Sequence, residues 1–260
     1  NFFEFYVVKI FLKGDFFMSD NLVISPENVN LPKMNAFQRV ISAVFSPGKL
    51  MSDLEQKPRV LLGIILSVIN PAIVMLGAYP MFKEYLKTTL EMSNANTGTE
   101  LAPEALDSLV NLFSILTPIS GAAMGVVFML IQALILWLVL KIFKGQGSFK
   151  QILSVLGYSQ VINFLSAIVF ILTTYLTGTY SDFGYNSLAA VLPDLRGNFI
   201  FGMAKSIDVF DIWYYVCAAI GVATVSKIDK KKVYLVLIIM FLALAAYSGY
   251  SELRAAALLK

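Results

Sequence analysis

The chain has 260 residues, 58% of them hydrophobic and 14% charged, with a mean hydropathy of +0.74 and a formal net charge of +3. Soluble domains carry about 25% charged residues, so this composition excludes an ordinary soluble domain and reads as membrane-embedded. No histidine and a single cysteine, Cys217, exclude an intrachain disulfide, a His-paired catalytic triad and a His/Cys metal centre, and the small net charge argues against a nucleic-acid partner.

The first seventeen residues, NFFEFYVVKIFLKGDFF, are apolar but interrupted by Glu4, Lys9, Lys13 and Asp15. They are shorter than the roughly 20 apolar residues that a span needs and lack a signal-peptide layout. Met18-Ser19-Asp20 reads as an ordinary start, and residues 18–33 are polar with Pro26 and Pro32. Residues 1–33 are therefore expected to be a disordered or artefactual N-terminal segment, an interfacial helix over 1–17 being the alternative.

Residues 34–58 are expected to form a cytoplasmic amphipathic, interfacial segment. Phe37, Val40, Ile41, Val44 and Phe45 recur at helical spacing, with Gln38 and Arg39 off that face. Packing on the protein's own loops is the other reading of the same face. Pro47 fixes φ and Gly48 relaxes it, so Pro47, Gly48 and Lys49 predict an elbow between a surface helix and the first span. Leu50, Met51 and Leu54 allow one more amphipathic turn. The Gly48-Lys49 pair is no phosphate loop, because the first glycine, the strand and the hydroxyl residue are missing.

Five apolar segments follow, near Val60–Phe82, Leu112–Leu140, Ile152–Leu176, Val209–Val225 and Val233–Tyr250. Lipid leaves backbone groups no water, so each is expected as a helix. The fold class is an all-α polytopic membrane bundle, with a five-span domain over residues 59–251 and an external tail over 252–260. Lys49, Lys57 and Arg59 precede the first segment; Lys141, Lys144 and Lys150 divide the second and third; Lys227 and Lys230 to Lys232 divide the fourth and fifth. The remaining loops carry Glu84, Glu91, Glu100, Glu104 and Asp107, and Asp182, Asp194 and Asp208. The positive-inside rule then places the N-terminus in the cytoplasm and the C-terminus outside, in a multi-pass protein of the cell membrane.

Three stretches carry a family likeness: FSPGKLMSDLEQKPR before the first span, GQGSFKQILSVLGYSQ opening the third, and SIDVFDIWYYVCAAIG opening the fourth. Together, over about residues 36–250, the chain resembles the bacterial and archaeal branch of the Yip (Ypt/Rab-interacting) membrane proteins. It departs from eukaryotic members in lacking an Asp-Leu-Tyr-Gly-Pro signature, and Gln160-Val161 stands where a proline usually follows Gly-Tyr-Ser. The resemblance implies a membrane scaffold or adaptor and brings no catalytic residues with it.

Polar groups inside spans are costly and are the functional candidates. Pro71 leaves the Ser67 carbonyl without its helical donor, and Asn70 stands beside it. Gly121 and Gly125 form a small-residue packing face, and Gln132 lies mid-span. Tyr158, Ser159, Gln160 and Asn163 share the third segment, with Ser159 and Asn163 on one face. The candidate cluster is Asn70, Gln132, Tyr158, Ser159, Gln160 and Asn163, serving either contacts between spans or a solvated path. Asp208 and Asp211 form a candidate outer acidic pair, read either as a helix cap or as a cation or proton site. No catalytic residue, metal or cofactor is expected. The expected function is a non-enzymatic scaffold that binds membrane lipids and associates with itself or with other integral membrane proteins; the alternative is a small-solute or ion permease using the polar face of the third span.

Overall fold

The computed structural model describes residues 34–97 and 101–258. Among them the regular structure is helical: α1 (Ala36–Phe45), α2 (Pro47–Gln56), α3 (Leu61–Gly77), α4 (Tyr79–Thr97), α5 (Pro103–Ile142), α6 (Phe149–Thr177), α7 (Phe199–Lys205), α8 (Val209–Ser226) and α9 (Lys230–Leu258). Two short 3-10 turns, Leu188–Val191 and Pro193–Leu195, precede α7. The expectation for residues 1–33 lies outside the described residues.

Local chemistry sets the helix starts. Asn35 caps α1 and Ser148 caps α6, each in a reciprocal box with a glutamine three residues on, Gln38 and Gln151. Asp208 caps α8, and Gly178 ends α6 in the left-handed conformation. The predicted elbow lies between two helices, α1 and α2. Ser46 alone separates α1 from α2, and Pro47 opens the new helix at the first position, where its missing N–H costs nothing.

Helices α5, α6, α8 and α9 are long and apolar enough to cross a membrane. The first apolar segment differs from the expected single helix. It runs unbroken through Pro71, then breaks at Ala78, and α4 leaves α3 at 80°. Pro80 has no N–H for the Leu76 carbonyl, and the first turn of a new helix tolerates it. Counting the bent pair as one span gives five. The last helix does not stop at Tyr250 but continues to Leu258.

Glycines set how closely α3 packs. Gly63 and Gly157 face each other where α3 crosses α6, and a Cβ on Gly157 would stand 2.6 Å from the Gly63 Cα. On the other side Gly125 of α5 lies against the Ser67 carbonyl oxygen and Gly121 against Pro71. The carbonyl that Pro71 strips of its donor is thus covered by a glycine, where a weak Cα–H contact is available.

The lysine-rich flanks meet at one end of the bundle. Lys227 pairs with Glu55, Gln151 Nε2 donates to the Glu55 carbonyl at 2.8 Å, and the Gln146 N–H donates to the Ser226 carbonyl at 3.0 Å. Here α2 is not a surface turn: Leu50, Met51 and Leu54 are fully buried among Val155, Leu156 and Val222. Arg39 is buried too, 2.5 Å from Asp53 and over the Tyr158 ring. With Arg39 turned inward, α1 keeps Phe37, Ile41 and Phe45 outward, at 72%, 43% and 75% exposure. The acid-rich end is closed by α7, which packs on α9 through Gly202 and Gly249.

Candidate functional site

The six residues of the polar cluster do not form one group. Gln132 of α5 accepts a hydrogen bond from the Tyr214 hydroxyl of α8 at 2.8 Å. Ser159 donates to the Val155 carbonyl of its own helix at 3.0 Å. Tyr158 is buried against Arg39. The remaining three meet: Asn70 Nδ2 donates to the Gln160 carbonyl at 3.1 Å and lies 3.4 Å from Gln160 Oε1, which also accepts from Asn163 Nδ2 at 3.0 Å.

That geometry fixes which way each amide points. A backbone carbonyl accepts only, so the Asn70 amide must turn its nitrogen to Gln160. Gln160 then offers its oxygen to both asparagines. The atoms left over are the buried Asn70 Oδ1 and Asn163 Oδ1, and neither has a hydrogen-bond partner.

Both asparagines line a cavity of about 440 Å³. Asn163 lies midway along α6, whereas Phe170 and Tyr180 line the same cavity toward and beyond its C-terminal end. The cavity therefore runs from the acid-rich end to mid-span. Asp208, Asp211, Asp182 and Lys205 are at its polar end. The polar face of α6 and the acidic pair, two separate candidates in the sequence, belong to one space.

The charges there are unequally matched. Lys205 pairs with Asp182 and with Glu252, the latter at 2.6 Å, and Arg196 reaches Asp182 at 2.8 Å. Burial opposes the Lys205 charge, but the two carboxylates outweigh it and hold its pKa above the ordinary value. Asp208 is buried; one oxygen accepts the Phe210 N–H at 2.6 Å and the other the Asn186 amide. Burial raises its pKa, and the N–H groups of Phe210 and Asp211 pull the other way. Tyr180, wedged among Phe82, Tyr85 and Phe170, has its hydroxyl pushed up to about 12, by burial first and then by Tyr85 and Asp182. Among the described residues the Asp211 carboxylate makes no hydrogen bond or ion pair, and no group of three His, Cys, Asp or Glu is placed to hold a metal.

The other candidates lie away from the cavity. Gly121 and Gly125 seat α5 on α3. At the elbow Pro47 is buried, while Gly48 and Lys49 are exposed, and none of the three reaches the cavity.

Residues 41–251 match the Yip1 domain. The chain belongs to the Yip1 domain family. The match takes in the second half of α1, the elbow and the spans, so the Yip1 domain here is nearly the whole described bundle. Membrane protein YknW of Bacillus subtilis (strain 168) is 23% identical over 214 residues, covering 82% of this chain and 90% of that protein. No solved structure matches the chain. Within the bundle, the first two family-like stretches pack together through Met51, Val155 and the Gln151 contact to Glu55. The third supplies Asp208 and Asp211.

Sequence reasoning missed three parts of this arrangement. The Arg39–Asp53 pair was signalled only by a lone arginine in an apolar helix. The Gly63–Gly157 crossing needed the pairing of two helices. The Lys205–Glu252 contact joins α7 to a helix end expected to be a tail.

Proposed function

We propose that this Yip1 domain protein is a non-enzymatic membrane scaffold that associates with itself or with other integral membrane proteins, such as those of a transport or export complex. The observation that carries the reading is α1. It is fastened to the bundle through the buried Arg39, paired with Asp53, and through Ala43, so Phe37, Ile41 and Phe45 are held outward. A face so held beside the spans suits the headgroup region and a neighbouring protein's membrane helix. The pairing of Gln132 with Tyr214 and of Asn70 with Gln160 supports the same reading, because mid-span polarity is used between helices. In this proposal the lysine-rich end faces the cytoplasm of a cell membrane and the C-terminus faces out.

A photo-crosslinking amino acid at Phe45, followed by solubilisation in mild detergent, tests the scaffold. Capture of a defined membrane protein or a second copy is expected. Lipid adducts alone, on a monodisperse monomer, count against it. A reporter fused after Lys260 tests the orientation, and a cytosolic signal refutes it. The cavity reaching Asn163 favours a second reading, a small-solute permease. Liposome flux abolished in Asn163→Leu is its signature.

A further inference from the structure

We infer that the joined α5–α6 and α8–α9 loops form a docking surface for an acidic phospholipid, its headgroup drawn by Lys141, Lys144 and Lys150 of one loop and by Lys230, Lys231 and Lys232 of the other. The inference does not rest on the scaffold reading.

The two loops are far apart in sequence and locked together in space. The Gln146 N–H donates to the Ser226 carbonyl at 3.0 Å. Gly145 and Gly147 lie so close to the other loop that a Cβ would stand 2.7 Å from Ile228 and 2.8 Å from Ser226. Lys232 Nζ sits over the Phe143 ring, 5.9 Å from its centroid. Lysines from both loops are thereby gathered at one rim, and all six named are exposed.

Little opposes their charge. Among the described residues the one ion pair that these loops make joins Lys227 to Glu55. Asp229, the acid between α8 and α9, accepts the Lys231 N–H at 2.7 Å and so is spent on starting α9. Lys230, Lys231 and Lys232 then occupy the first turn of α9, with no acid in that turn. That end of a helix is the positive end of its dipole and favours an anion, and three cations stand there instead.

The backbone gives an independent sign. Among the described residues Lys144 and Lys227 alone hold a positive φ without being glycine, at 60° and 55°. Each stands at a helix end, where glycine is the ordinary choice because a side chain in that conformation is strained. Each loop accepts that strain and carries a lysine at the strained position.

The surroundings favour a lipid over a soluble anion or an acidic protein. On α9, Lys232, Leu235 and Ile239 share one face, the two apolar residues each 58% exposed. On α5, Ile142 beside Lys141 is 78% exposed. Charge followed by oil along one face matches an acidic headgroup joined to acyl chains. A zwitterionic headgroup brings a cation that the lysines repel, so phosphatidylglycerol is preferred to phosphatidylcholine.

Trp137, under the Lys141 ammonium, reports on this end. The full chain carrying Trp213→Phe, which leaves Trp137 as the sole tryptophan, is placed in phosphatidylcholine nanodiscs. Phosphatidylglycerol or phosphatidylcholine brominated near the headgroup is added in rising proportion, and quenching of Trp137 is read. Stronger quenching by phosphatidylglycerol is expected. Its relative affinity should fall about fivefold in each of Lys144→Gln and Lys232→Gln, and stay unchanged in Lys49→Gln at the same end of the bundle. Lys144→Gly suits the backbone, so it should keep the fold, with the buried Cys217 protected from maleimide, and still lose the preference. Equal quenching by the two lipids overturns the inference, as does a preference retained in Lys144→Gly or in Lys144→Gln with Lys232→Gln. An equal loss in Lys49→Gln overturns it too, because the attraction would then be diffuse.

Discussion

The glycine crossing of α3 and α6 gives a prediction whose size can be worked out. In Gly157→Ala the new Cβ would stand 2.6 Å from the Gly63 Cα and 3.4 Å from the Gly63 nitrogen. Carbon atoms at rest sit about 3.5–4.0 Å apart, so the two helices must part by about 1 Å. The Asn70–Gln160 contacts lie further along the same pair of helices, at 3.1 and 3.4 Å, and that parting carries them beyond hydrogen-bond reach. Overpacking costs about 1–3 kcal/mol and an interhelical hydrogen bond in a membrane protein about 0.6, so the expected loss is about 2–4 kcal/mol. The assay is supplied by the chain itself. Cys217 is the sole cysteine and is 1% exposed, so a fluorogenic maleimide reports unfolding in detergent. Gly63→Ala should cost a similar amount, because its Cβ meets the Gly157 backbone. The double variant should cost much less than the sum, since helices already parted accommodate a second methyl. Single variants as stable as the wild type, or losses that add in full, would refute the reasoning.

Asp53→Ala should lower stability by about 3–5 kcal/mol in the same assay, because it leaves the buried Arg39 without its partner. The apolar pair Arg39→Met with Asp53→Leu should restore most of that loss. Tyr214→Phe removes the donor to Gln132 and should cost about 1 kcal/mol, with no change in the Asn70–Gln160 contact. Stability should also follow Asp208. Its carboxyl pKa is raised in the fold, so the folded state holds the proton more tightly than the unfolded chain does. Its contribution is fully present below the unfolded value of about 4 and is lost as pH rises through the folded value, and Asp208→Asn should flatten that slope in a pH series of unfolding midpoints.

Much of the fold was legible because the membrane imposes a simple rule: long apolar runs become helices, and the lysines between them mark their ends. Four runs became single helices, α6 and α8 at close to their expected limits, while α5 starts nine residues before Leu112 and α9 ends eight after Tyr250. The break in the first was misread because Pro71 stood in mid-span and drew attention from Pro80. A proline inside a helix is tolerable when a neighbour covers the freed carbonyl, as Gly125 does for Ser67. The candidate site was legible in its parts only. Asn70, Asn163 and Asp211 each stood out as polar groups in or beside apolar runs. That Asn70 and Asn163 share a space with Asp211, while Gln132 and Ser159 do not, depends on the rotation of each helix about its axis. Composition says little about that rotation when, as in α6, buried residues lie on nearly every side.

The length of α5 has a consequence for reach. Its 40 residues far exceed the roughly 20 that cross hydrocarbon, and its first stretch, from Pro103 to Asn111, carries Glu104 and Asp107. At 1.5 Å per residue that stretch lifts its tip on the order of 13 Å clear of the apolar run, and Lys87 of α4 clasps it at Asp107. The pair forms a short helical projection beyond the apolar run, held by one exposed ion pair.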